Sequence, residues 1–157
     1  MLPFESTSKL LLLLHLVTAF SAGAVCIHAL VRLRAASRGQ ARRYPAVQLH
    51  VRLLAVLYGL TYALGAAIYP TFRIRVRMEY FDRQLPWATA LFEIKEYAAT
   101  AALLAAIGIA LLDGVLDFRD PSDRPYLPLF AGLMSFVLTV LLFNAGVGWY
   151  LASLRSV

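Results

Sequence analysis

The chain has 157 residues, of which 61% are hydrophobic and 15% charged, and carries a formal net charge of +6. A soluble domain has about a quarter charged residues, and the connections between the apolar runs here (33–52, 73–85 and 113–128) are too short for a second folded unit. These figures exclude a separate water-soluble catalytic module. They leave one membrane domain over residues 1–157.

The first apolar run covers residues 10–31. A hydrocarbon core about 30 Å thick takes roughly 20 residues of helix at 1.5 Å each, so this run is expected to span. Ser21-Ala22-Gly23-Ala24 resembles a leader cleavage site, yet the run continues to Val31 and only Lys9 is cationic before it. An uncleaved helix is therefore expected. Arg32, Arg34, Arg38, Arg42 and Arg43 close it, and Tyr44-Pro45 breaks the connection to the second run, 53–72. That run is expected to end near Tyr69-Pro70, because proline is disfavoured inside helices.

Arg73-Ile74-Arg75-Val76-Arg77 alternates like a strand. A lone strand in a membrane loop has no pairing partner, so an interfacial segment is expected, with Arg73, Arg75 and Arg77 facing lipid headgroups or a docking partner. Pro86 and Trp87 form the first turn and interfacial anchor of the third run, 86–112. Asp117, Asp120 and Asp123 interleave with Arg119 and Arg124 before Pro125 and Pro128 open the fourth run, 129–154.

Small residues recur at four-residue spacing: Ala98, Ala102, Ala106 and Ala110; Ala19 and Gly23; Gly59, Ala63 and Ala67. Such stripes let helix backbones approach closely. With short connections they predict an all-α, antiparallel four-transmembrane-helix bundle. Placing the first and third connections on one side puts eight Lys/Arg there and seven on the other. The arginine cluster of the first connection, with no acidic residue, directs it to the cytoplasm and both termini to the periplasm.

Charges inside a bilayer cost about 2.5–3.5 kcal/mol at its centre and mark functional candidates. Glu93, Glu96 and Thr100 share one helical face by three- and four-residue spacing, with Lys95 directed elsewhere. Rises of about 10 Å from Pro86 to Glu93, about 9 Å from Lys9 to His15 and about 16 Å from Arg155 to Asn144 place these groups in the same half of the membrane. His15, Glu93, Lys95, Glu96 and Asn144, with Tyr69, are expected to form a polar layer. The favoured reading is a structural network in which Lys95 and Arg73 to Arg77 neutralise the glutamates. Its rival is a proton- or cation-handling site, or a pocket for a headgroup or quinone.

Histidines raise the question of haem. His15 and His28 are thirteen residues apart, about 220° around a helix, and cannot share a seam. His28 and His50 come near one side of the bundle and are the pair that would hold one haem b or a metal ion; interfacial hydrogen bonding beside Arg32 and Arg52 is the plainer alternative. Cys26, the single cysteine, excludes an intrachain disulfide and is expected to pack as a small hydrophobe. No Cys-x-x-Cys, His-Glu-x-x-His, Gly-x-Ser-x-Gly, phosphate-loop or dinucleotide pattern occurs, so no catalytic residues are assigned. Tyr58, Tyr62 and Tyr69 are expected to pack one face of helix two.

His15-Leu16 followed by Ala22-Gly23, with Lys95 in Leu91-Phe92-Glu93-Ile94-Lys95, resembles copper-resistance-D-like bacterial inner-membrane proteins over about a third of the chain. The resemblance implies a multi-helix membrane fold and makes His15 the residue to test for copper. From the residues themselves, the expected role is a non-enzymatic accessory or structural subunit of a bacterial inner membrane. It would contact lipid, other membrane proteins or further copies of itself, and no nucleic acid. A redox, ion- or metal-handling component is the alternative.

Overall fold

A computed structural model of the protein describes residues 7–38 and 44–155; Glu5, Arg42 and Arg43, part of the flanking charge, lie outside these. Its helices in chain order are α1 (Ser8–Ser37), α2 (Tyr44–Phe72), α3 (Pro86–Asp113) and α4 (Leu127–Leu154). Among the described residues there is no strand. Four helical segments are long and apolar enough to cross a membrane.

The helices outrun the apolar runs. Helix α1 continues through Arg32 and Arg34 to Ser37, since arginine is a good helix former and needs only water around its head group. Helix α2 starts at Tyr44. Tyr44-Pro45 opens it rather than breaking the connection, because a proline in the first turn gives up an N–H that has no partner there.

The largest departure from expectation follows Pro70. The chain stays helical through Pro70, enters a nine-residue π-helix at Arg73–Phe81 and finishes with one turn at Asp82–Gln84. The stretch expected to be interfacial thus extends α2 into a continuous helix, Tyr44–Gln84, of 41 residues. Proline removes one backbone bond and its ring crowds the carbonyl a turn earlier, while i→i+5 bonding widens the helix. The wider turn brings residues four to five apart into line, so Phe72, Val76 and Phe81 face inward together. Leu85 is the single residue between this extension and α3; its N–H bonds to Phe81 O at 2.8 Å and its own carbonyl accepts from Ala88 N–H at 2.8 Å.

Each helix packs on two neighbours, α1 on α2, α2 on α3, α3 on α4 and α4 on α1, which closes a four-cornered bundle. The inward stripes step by three and four residues in alternation. On α2 they are Tyr44, Val47, Val51, Leu54, Tyr58 and Thr61. On α4 they are Phe130, Met134, Val137 and Leu141. This seven-residue repeat is the seam of interlocking helices. Tyr44 Oη donates to Leu116 O at 3.0 Å, Tyr58 Oη to Ala99 O at 3.2 Å, and Tyr69 stacks on Phe92 at 6.1 Å, so the three tyrosine contacts tie α2 to α3 and the turn beyond it.

Two cores result. The larger fills the bundle around Ala22, Cys26, Ala29, Val51, Ala106 and Met134, and Cys26 Sγ donates to Met134 O at 3.4 Å. Phe118 plugs one end of it, edge-on to Tyr44 at 5.4 Å and to Phe130 at 5.2 Å. The smaller core, at the other end, packs Val76 and Phe81 of the π-helix on Ala88, Phe92 and Leu151.

Candidate functional site: a polar layer across the bundle

The seam stripes carry polar residues at one level. On α3 the steps of four and three run Ala88, Phe92, Lys95, Ala99, Ala102, Ala106, Ile109 and Asp113, and most of these are buried. Lys95 and Asp113 therefore occupy core positions. On α4 the same steps carry Leu141 on to Asn144, Gly148 and Leu151; on α2, Thr61 on to Gly65 and Ile68; on α1, His15 lies seven residues before Ala22. Each helix thus contributes a seam residue to the layer: His15, Thr61, Lys95 and Asn144.

Glycine lets these groups meet. His15 Nδ1 donates to Thr61 O at 2.8 Å, and a Cβ on Gly65 would come within 3.3 Å of His15 Cε1. The carbonyl accepts only, so the proton is on Nδ1 and Nε2 carries the lone pair. Lys95 Cε lies 3.7 Å from the space a Gly148 Cβ would fill, and its Nζ sits 3.5 Å from Glu96 Oε1 and 4.9 Å from the centre of the Phe92 ring. One turn before Gly148, Asn144 Oδ1 is buried without a hydrogen-bond partner among the described residues.

The inward and outward roles on α3 are the reverse of the expected ones. The Lys95 side chain is 17% exposed, whereas Glu93 is 43% and Glu96 48% exposed. The seam register decides this: Lys95 falls on it, and the two glutamates flank it. Glu93 leaves the layer and accepts from Arg77 Nη2 at 2.6 Å. Arg77 Nε is also 3.6 Å from Asp82, whose Oδ1 accepts from Thr89 Oγ1 at 2.6 Å. Arg77 is consequently turned on α3 rather than on lipid, because the π-helix places it beside Val76 over the smaller core. Arg73 and Arg75 remain exposed, and Arg75 Nη1 lies 3.5 Å from Glu79. Tyr69 stays outside the layer, in the aromatic stack where Phe72 and Phe92 lie 4.2 Å apart.

The other end has its own polar contacts. Asp113, 2% exposed, is approached by Arg52 Nε at 3.4 Å; from sequence, Arg52 was placed only beside the histidines and Asp113 had no role. His28 and His50 come together as their positions suggested, with ring centres 6.2 Å apart. The seam beneath them is filled by Ala29, Val47 and Val51, each at most 1% exposed. Beyond α3, Arg119 clamps Asp117 through Nη2 at 2.7 Å, and Asp123 Oδ2 accepts from Asp117 N–H at 2.8 Å. The guanidinium and backbone N–H of Arg119 hold the Asp117 carboxyl below the usual carboxylate range.

Among the described residues no group of three or more His, Cys, Asp or Glu could hold a metal ion. No protein-family model, curated protein or solved structure matches this chain. The copper-resistance likeness therefore rests on the residues quoted for it alone.

Proposed function

We propose that this is an integral multi-pass protein of a bacterial inner membrane, an antiparallel bundle that serves as a non-enzymatic accessory or structural subunit. The observation that carries the reading is internal charge compensation. Glu93 pairs with Arg77, Glu96 with Lys95 and Asp113 with Arg52. Acids within the spans thus face cations of the same chain, and the exterior is left apolar: Phe20 is 64%, Leu104 65% and Leu111 68% exposed. Soluble monomers rarely present contiguous apolar surface on this scale, whereas hydrocarbon requires it. The pairs Tyr44–Leu116, Tyr58–Ala99 and Tyr69–Phe92 support opposite directions for α2 and α3, and an even number of spans puts Thr7 and Arg155 on one face, proposed as periplasmic. The apolar exterior suits lipid, other membrane subunits or further copies of the chain.

The test is extraction and co-purification. The protein should leave membranes only with detergent, reporters after Arg155 and before Thr7 should fall on the same side, and mild detergent should bring out a larger assembly. A monodisperse species in detergent-free buffer, or reporters on opposite faces, would sink the reading. Ion or small-ligand handling is a second reading, favoured by the Asn144 Oδ1 that lacks a donor one turn from Lys95. Under it, Asn144→Leu abolishes activity with no loss of folded protein; under the structural reading, it raises stability.

A further inference from the structure

His28 is exposed on α1 and His50 half-buried on α2, and their rings are tilted by 54° with centres 6.2 Å apart. His50 Nδ1 donates to Ala46 O at 2.5 Å. That bond fixes the tautomer and leaves Nε2 with its lone pair, the arrangement in which a second partner orients a metal-binding imidazole. An ion about 2.0–2.1 Å from each nitrogen lies roughly 3 Å from each ring centre, so two imidazoles on one ion stand roughly 5–6 Å apart. The observed 6.2 Å is slightly wider than this, so the two rings must turn towards each other to share an ion. The two rings ride on the outside of a closed seam, at the end of the bundle away from Lys95 and about one turn from the arginine that closes the first apolar run. Arg32 follows His28 by one turn of α1, and Arg52 is turned on Asp113 at 3.4 Å.

We propose that His28 and His50 form a two-imidazole site for a first-row transition-metal ion of the imidazole-preferring group, with its remaining coordination positions open to water or an incoming ligand. Imidazole selects copper, nickel and zinc over magnesium or calcium, and affinity within the series peaks at Cu(II). The site is separate from the polar layer and from the accessory role, either of which can fail without it.

The probe is Cu(II), added to the whole protein in detergent micelles and purified through a tag that contains no histidine. Electron paramagnetic resonance should report one ion per chain with nitrogen coupling, and only a large excess of Zn(II) should displace it. His28→Gln and His50→Gln should each weaken binding by more than about tenfold, at least the scale on which outer-shell partners act, while His15→Gln leaves it unchanged. Gln keeps the side chain polar, and circular dichroism confirms that each variant is folded. Absence of a nitrogen-coupled signal in the unmutated protein overturns the proposal without any variant. So does affinity that survives both substitutions, or that falls with His15→Gln instead.

Discussion

Two glycines face the polar layer with different clearances, and alanine at each separates the layer's geometry from helix propensity. At Gly148 an added Cβ stands 3.7 Å from Lys95 Cε, an ordinary contact. Gly148→Ala should therefore gain the helix-propensity difference, about 0.8–1.0 kcal/mol. At Gly65 the new Cβ meets His15 at 3.3 Å from Cε1 and 3.5 Å from Nδ1. The ring must retreat by a few tenths of an ångström, and Nδ1 is the atom bonded to Thr61 O at 2.8 Å. A buried donor left unpaired costs about 1–3 kcal/mol, which offsets or exceeds the propensity gain. Gly65→Ala should accordingly be less stable than Gly148→Ala by about 1–3 kcal/mol. Unfolding in mixed micelles of rising SDS content, followed by circular dichroism, reads the difference. In a His15→Ala background the Gly65→Ala penalty should vanish, because the two positions are in contact and their effects are coupled. Equal stabilities for the two alanine variants, or a Gly65 penalty that persists without His15, would refute the placement of His15 against α2.

Three further outcomes are expected. Arg77→Ala and Glu93→Gln should each destabilise the smaller core, with a double-mutant coupling of about 1 kcal/mol or less, as befits a partly exposed pair. Arg52→Ala strands the buried Asp113 carboxylate and should cost about 1–3 kcal/mol in the same unfolding assay; Arg52→Ala with Asp113→Ala should recover much of the loss. In the connection after α3, the Asp117 carboxyl is held low by Arg119, so its stabilising contribution is present above the ordinary carboxylate value and lost as pH falls through the depressed one. Arg119→Ala should move the Asp117 titration midpoint up, measured by carboxyl-carbon NMR.

The four membrane-length segments were legible because apolar length alone identifies them. The polar layer was half legible. Helical rise placed His15, Glu93 and Asn144 at one level, but reading α3 through its every-fourth alanines hid the alternating steps of four and three that run through Ala88, Phe92 and Lys95. Following those steps would have turned Lys95 inward and shown Asp113 as a core residue. Arg77 was not legible, since five residues of alternating arginine and aliphatic look like strand or interface. Only the π-helix, which changes the period from about 3.6 residues, lines Val76 up with Phe81 and swings Arg77 over Glu93. No sequence pattern announces that change beyond a proline three residues earlier.

The joint at Leu85 has a mechanical consequence. With a single residue between the end of the 41-residue helix and α3, the reversal has no slack. A tilt imposed on α2 is handed to α3 at once, as in two rods sharing a welded elbow. The ten residues from Gly114 to Asp123 that precede the next helical turn give α4 a longer tether. At this end α2 and α3 are thus joined as one rigid hairpin, whereas α4 hangs on a longer connection.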